Sequence, residues 1–183
     1  MFKIPYLRAT IILSLLWLGN VSQAAGLPIV EEYQVKSVFL FNFAKFIKWP
    51  NTVFSDSQAP FYICIIGEDP FKQAIDITIE NESIRGHSVL IERLDNVENS
   101  ESCQILFISQ SEENNLASIF KYLQQFPVLT VSDMDSFAEQ GGMIQFVKLG
   151  KKIRLLINPE KAKAAGLQIS ANLLRVAKIF HSH

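Results

Sequence analysis

The chain has 183 residues, 49% of them hydrophobic, with 17 basic and 18 acidic side chains and a net charge of −1. That size and apolar content suit one domain with a sizeable core. The near-neutral balance lacks the basic footprint that nucleic-acid binding requires, so that class of partner is excluded.

Residues 1–24 have a basic start (Lys3, Arg8), an apolar run from Ala9 to Leu18, then small and polar residues, with Ser22 and Ala24 at −3 and −1 of a cleavage point before Ala25. This is the layout of a cleaved secretory signal peptide. The rival reading, an uncleaved anchor, meets an apolar run of about ten residues where roughly 20 span a bilayer. Removing Lys3 and Arg8 leaves 15 bases against 18 acids, so the exported chain, 25–183, is read as one domain of net charge −3. Export places Cys64 and Cys103 in an oxidising compartment, where two cysteines pair and only one connectivity exists. The loop so closed is worth roughly 4 kcal/mol in the chain-entropy model. A catalytic thiol would need His87, and a zinc site needs more ligands than two cysteines and one histidine supply.

Residues 31–48 read as a helix with Val35, Val38, Phe39, Phe43 and Phe46 facing the core, stopped by Trp49-Pro50. Phe41 lies off that face beside Lys45 and Lys48. Phe41 and Trp49 are therefore the residues expected to meet a protein partner or a dimer mate. "FYICII" (61–66) reads as a strand buried on both faces. Asp69-Pro70 is read as the N-cap and first turn of a helix to Ile79. "HSVLIERL" (87–94) and "CQILFIS" (103–109) read as strands, 112–125 as a helix, and "VLTVS" (128–132) as a further strand. Ser132 and Asp133 are read as capping a short helix that ends at Gly141-Gly142. Residues 143–158 alternate around a turn at Leu149-Gly150 as a hairpin. Asn158-Pro159 opens a helix ending at Gly166, and 170–180 reads as a last amphipathic helix. The alternation predicts an α/β fold: three layers, with a central mixed, mostly parallel sheet of about six strands flanked by helices.

No catalytic constellation emerges. Neither G-x-G-x-x-G nor a P-loop occurs, and Gly67 in "IIGEDPF" is read as a tight turn before it is read as a phosphate site. Ser132 lacks the glycines of a nucleophile elbow, and its base would have to be His87 from another strand. His87 itself is read as an exposed loop residue. Asp133 and Asp135 are weak evidence for a cation, and His181 and His183 read as a frayed end. No metal or cofactor is expected. A ligand, if one binds, is expected beyond the strand ends near Gly67 and Ser132, where open α/β sheets bind.

These segments do resemble a known family. "FNFAKFIKWP" (41–50), "CIIGEDPF" (64–71), "IRGHSVLIERL" (84–94), "CQILFIS" (103–109), "VLTVSDMDSFAEQGGMIQF" (128–146), "KIRLLIN" (152–158) and "AGLQISANLLRVA" (165–177) stand in the order and spacing of the YfiR-like periplasmic proteins, over residues 31–178. The resemblance implies a non-enzymatic, dimeric periplasmic repressor. Its partner would be the periplasmic sensor region of an inner-membrane diguanylate cyclase, so that cyclic-di-GMP and biofilm formation fall. It also implies an outer-membrane lipoprotein that sequesters the repressor, and a disulfide between Cys64 and Cys103. A second cysteine pair found in some members is absent. Leu156 stands where the family often has an acid, which puts that partner geometry in doubt here. Two other classes stay open: a periplasmic receptor for a nucleotide or an aromatic amino acid, and a hydrolase using Ser132 or Asp133 with His87.

Overall fold

A computed structural model describes residues 28–181; the expected signal peptide and His183 lie outside the described residues. The chain begins with α1 (Ile29–Phe46) and β1 (Ile47–Lys48), then β2 (Phe61–Ile66), α2 (Gln73–Ile79), β3 (Ser83–Ile84), β4 (His87–Leu94) and β5 (Ile105–Ile108). It continues through α3 (Leu116–Leu123), β6 (Leu129–Ser132), the hairpin β7 (Ile144–Leu149) and β8 (Lys152–Ile157), α4 (Pro159–Ala164), β9 (Gln168–Ile169), α5 (Ala171–Val176) and β10 (Lys178–Ile179).

One eight-stranded sheet runs β10-β8-β7-β6-β5-β2-β4-β3. Neighbours are parallel except at β3/β4 and β7/β8. The mixed, mostly parallel sheet expected from the sequence is therefore present. Its six longer strands are the expected six, and the two additions are the two-residue edges β3 and β10. β1 and β9 form a separate antiparallel pair.

Side chains of the central strands divide between two cores, because successive residues of a strand point to opposite faces. Ile63, Ile65, Ile105 and Phe107 join Leu40, Phe43, Ile75 and Ile79 on the α1/α2 side. Cys64, Ile66, Leu106 and Ile108 meet Leu116, Ile119 and Leu123 of α3 on the other. The Cys64–Cys103 disulfide lies in this second core and leaves no free thiol.

Local expectations fail at four places, two of them at a left-handed residue. Asp69 accepts from the amides of Phe71 and Lys72, but Lys72 is left-handed (φ 51°), so the helix begins only at Gln73. The expected helix after Asp133 is a run of turns interrupted by Ser136 at φ 57°. Residues 110–115 form a 3-10 segment ahead of α3. The last helix stops at Val176, and Lys178–Ile179 pairs beside Leu156–Ile157 as an edge strand.

The buried face of α1 is also rotated from the expected one. Leu40, Phe41, Phe43 and Ala44 are buried together with Glu32, Lys36 and Ser37. Val35 (39%), Val38 (50%) and Phe46 (39%) are exposed, and Phe39 is only partly buried. Phe41 is thus a core residue at 6% exposure, with the Lys45 ammonium 4.2 Å from its ring centroid. Trp49 is likewise buried: its indole N–H donates to the Gln104 carbonyl at 3.1 Å and its ring meets Phe61 edge-on. Neither aromatic presents an exposed surface.

Candidate functional site

The parallel strands deliver their carboxyl ends to one edge, and the residues following β2, β4, β5 and β6 gather there. The strand following β2 in sequence among the longer ones, β4, lies on one side of it and β5 on the other, so the topological switch falls between β2 and β5. Gly67 stands at this switch with φ 86°, a value that favours glycine. A Cβ there would collide with the Ser111 hydroxyl and crowd Glu112, and Ser111 Oγ already accepts from the Glu68 amide at 2.9 Å. The chain's own 3-10 segment thus fills the space beside Gly67. Ser132 is fully buried, donating to the Ile108 carbonyl at 2.6 Å and accepting from the Met134 amide at 3.1 Å. The two residues expected near a ligand are both engaged by their own chain.

The polar feature of this edge lies one residue further, at Asp133. Its Oδ2 accepts from the Tyr33 hydroxyl (2.8 Å) and the Lys36 ammonium (2.5 Å). Lys36, 2% exposed, also donates to Glu32 Oε1 at 2.6 Å, and Lys148 of β7 holds the other oxygen, Glu32 Oε2, at 2.5 Å. Two acids and two bases from α1, the β6 end and β7 therefore make one ion network. Burying charges in this way is tolerated only where partners and hydrogen bonds replace water. Asp133 Oδ1 is the exception: it is buried and has no hydrogen-bond partner among the described residues.

Charge and burial act in opposite senses on the side chains around the network. Burial pushes the Glu32 carboxyl up, but hydrogen bonds and charge from Lys148 and Lys36 outweigh it and hold the group below its ordinary value. Burial first, then the charge of Asp133, drives the Tyr33 phenol far above its ordinary range, so it stays a donor at every physiological pH. A cavity of about 340 Å³ opens beside the network, lined by Tyr33, Gln110, Asp133, Asp135 and Phe146 among others.

A second, exposed ion cluster ends β4. Arg93 reaches Asp69 (2.8 Å), Asp76 (2.7 Å) and the Lys72 carbonyl (3.0 Å), tying the β2–α2 loop and α2 to the sheet. Its guanidinium is held still higher than usual, chiefly by Asp76.

His87 is not an exposed loop residue. It opens β4, half-buried, stacked on Phe54 at 4.0 Å between ring centroids, and its Nδ1 lies 2.6 Å from the Ala59 carbonyl. It sits at the amino end of a parallel strand while Ser132 and Asp133 sit at a carboxyl end, so the hydrolase pairing does not assemble. Among the described residues no group of three His, Cys, Asp or Glu side chains could hold a metal ion, and no helix is long and apolar enough to cross a membrane. Leu156 is half-buried between Gln145 and Lys178, beside an open groove with Glu139, Ile179 and Phe180.

Glu32, Tyr33, Lys36 and Lys148 were not singled out from the sequence. The available signal was spacing: Lys36, Leu40, Ala44 and Ile47 recur at helical intervals, which places a lysine on an otherwise apolar face with Glu32 one turn before it.

Two solved structures share the fold. A conserved domain protein from Vibrio cholerae O1 biovar El Tor aligns with a TM-score of 0.52 at 10% identity over 83% of this chain. The ABC domain from Streptococcus pneumonia, described as a complex with L-Trp, aligns with a TM-score of 0.50 at 12% identity over 81% of this chain. The chain spans 60% of the length of each, and at these identities the likeness is one of fold alone. A match at the level of sequence comes from the YfiR/HmsC-like family model, which covers residues 33–178. The chain belongs to the YfiR/HmsC-like family, a family of periplasmic regulatory proteins.

Proposed function

We propose that this protein is a non-enzymatic periplasmic repressor that binds the periplasmic sensor region of a membrane-bound diguanylate cyclase and so lowers cyclic-di-GMP and biofilm formation. Membership of the YfiR/HmsC-like family over residues 33–178 carries the reading. The leader-like residues 1–24 support it, since repressor and sensor region must meet outside the cytoplasm. An outer-membrane lipoprotein that sequesters the repressor, and a homodimeric state, complete the proposal.

The partner surface belongs on the outward face of α1. Val35, Val38 and Phe46 are exposed there, and contiguous exposed apolar side chains mark interaction surfaces. This replaces Phe41 and Trp49, which the core absorbs. The test is a deletion strain with an intact cyclase, complemented by wild type or by Val38→Asp. Wild type should restore low cyclic-di-GMP and weak biofilm, and Val38→Asp should not, although it is exported and folded equally well. A deletion that leaves cyclic-di-GMP unchanged refutes the repressor reading.

A second reading, a periplasmic small-molecule receptor, is favoured by one observation: a cavity of about 340 Å³, with Asp133 in its lining, at the ligand-binding edge of the sheet. Thermal-shift screening with nucleotides, aromatic amino acids and amines tests it.

A further inference from the structure

We infer that the cavity between α3 and α4 binds a small organic anion with an apolar body. It shares no lining residue with the cavity beside Asp133 and goes beyond the readings given for that cavity and for α1.

Three segments build this cavity. α3 sends Leu116, Ile119 and Leu123 into the core, which leaves Phe120 and Lys121 on the side toward α4. α4 contributes Lys161 and Ala164, and the buried Thr130 and Met143 close the space toward the sheet. Gly141 keeps it open. Its φ of 113° favours glycine, and a Cβ there would come to 3.7 Å from the Phe120 ring and 3.9 Å from Lys161 Cε. The aromatic ring and the lysine stem thus flank one point of the cavity.

Charge selects the ligand. Two lysines, Lys121 and Lys161, line the cavity and no acid does, a net charge of +2 on a chain that is negative overall. Helical neighbours three and four residues away could neutralise them, but none of those positions holds Asp or Glu. Neither lysine belongs to the ion pairs of the described residues. Glu160, next to Lys161 in sequence, is not in the lining. The other polar groups, Thr130, Gln124 and Gln140, are neutral, and the Thr130 hydroxyl already accepts from the Met143 amide at 3.1 Å. An incoming carboxylate or phosphate therefore meets two ammonium groups, whereas an incoming ammonium meets only like charge.

Shape and polarity limit the rest of the ligand. About 460 Å³ holds roughly 15 non-hydrogen atoms, taking a water-sized volume for each. Phe120, Leu123 and Met143 with the alanines supply apolar wall, which suits a hydrocarbon or aromatic body behind the charged head.

Titration calorimetry on the mature chain with 3-phenylpropionate, phenyl phosphate, phenylalanine and phenethylamine tests the inference. The two anions should bind, and whichever binds tighter identifies the head group. Phenylalanine, which adds an ammonium to the first anion, should bind more weakly, and phenethylamine should not bind. Lys121→Gln and Lys161→Gln should each weaken the anion about three- to fivefold, the value of an ion pair at an accessible site. Both lysines are exposed, so the melting curve of the free protein should not move. Phenethylamine or phenylalanine binding as well as 3-phenylpropionate overturns the anion assignment. Anion binding that the double variant leaves unaltered overturns the assignment to this cavity, and no binding of either anion overturns both. Each of these failures leaves the repressor and receptor readings as they stand, because neither uses Lys121 or Lys161.

Discussion

Replacing Lys36 by methionine isolates the energetic role of the buried network. Methionine keeps most of the side-chain volume and removes the ammonium, so packing against Leu40 changes little while two hydrogen-bonded ion pairs disappear, at 2.6 Å to Glu32 and 2.5 Å to Asp133. Glu32 keeps Lys148, but Asp133 is left with the Tyr33 hydroxyl alone, its Oδ1 still without a partner. Stranding a buried charge in this way costs about 3–5 kcal/mol. For a domain of this size each kcal/mol lowers the midpoint by about 2–4 °C, so the expected fall is on the order of 6–20 °C. Urea unfolding with the disulfide intact, followed by far-ultraviolet circular dichroism, reads the free energy directly. The companion variant is Lys36→Met with Asp133→Leu, which removes the stranded carboxylate as well. It should recover most of the loss, giving a favourable coupling of at least about 1 kcal/mol in the double-mutant cycle. A single-variant loss below about 1 kcal/mol, or a double variant no better than Lys36→Met, would refute the claim that Asp133 depends on Lys36.

The remaining expectations are simpler. Glu32 is held below its ordinary value of 4.5 in the fold. Its contribution is therefore present above that value and lost as pH falls through the lowered folded one. Wild type and Glu32→Gln should differ most in melting temperature near pH 7 and converge progressively as the pH is lowered below the ordinary value of 4.5. Tyr33 carries the opposite sign: its raised phenol contributes stability below its ordinary value of 10.0 that is lost only at still higher pH. Ultraviolet titration near pH 10 should accordingly show the same number of tyrosinates in wild type and in Tyr33→Phe. Intact mass should rise by about 2 Da on reduction under denaturing conditions, and Cys64→Ala with Cys103→Ala should lose about 4 kcal/mol in urea. Phe41→Ala should cost about 3–5 kcal/mol as a core truncation, whereas Val38→Asp should leave stability within about 0.5 kcal/mol and act on partner binding.

The elements legible in the sequence were those whose signal is a continuous apolar run or a strict alternation. "FYICII" and "ILFI" became strands buried on both faces, and the 143–158 alternation became the β7–β8 hairpin with its tip at Gly150-Lys151. The rotation of α1 was missed for a specific reason. Counting apolar residues assigns Lys36 and Ser37 to solvent, yet Lys36 is neutralised by Glu32 and Asp133, and the Ser37 hydroxyl donates to the Tyr33 carbonyl at 2.7 Å. Once those two count as core, the helix turns and Phe41 goes in while Val38 comes out. Spacing shows only the local partner of Lys36, Glu32; its other partner, Asp133, is 97 residues away in the chain and nothing local announces it. The same long-range origin hid the site, because Ser132 is the conspicuous residue and Asp133 beside it carries the unsatisfied oxygen. Likewise, single left-handed residues overrode propensity: Lys72 delays α2 to Gln73, and Ser136 interrupts the segment after Asp133, which stays a run of turns.

α1 carries both surfaces of the proposed function. On one side Glu32, Tyr33 and Lys36 form part of the cavity wall; on the other, Val35 and Val38 face solvent within the same two turns. The helix is continuous from Ile29 to Phe46 and tied to the hairpin through Lys148, so a shift imposed at the cavity is also a shift of the outward face. A ligand changes partner affinity only through a difference in its affinity for the free and bound forms, and that coupling is reciprocal. A nucleotide or aromatic amino acid that binds the cavity, titrated into the protein alone and into its complex with the sensor region, should therefore give two different affinities, in the same ratio as the partner's affinities with and without it. Equal affinities in the two titrations would mean that the cavity and the outward face of α1 act independently, whichever ligand the cavity takes.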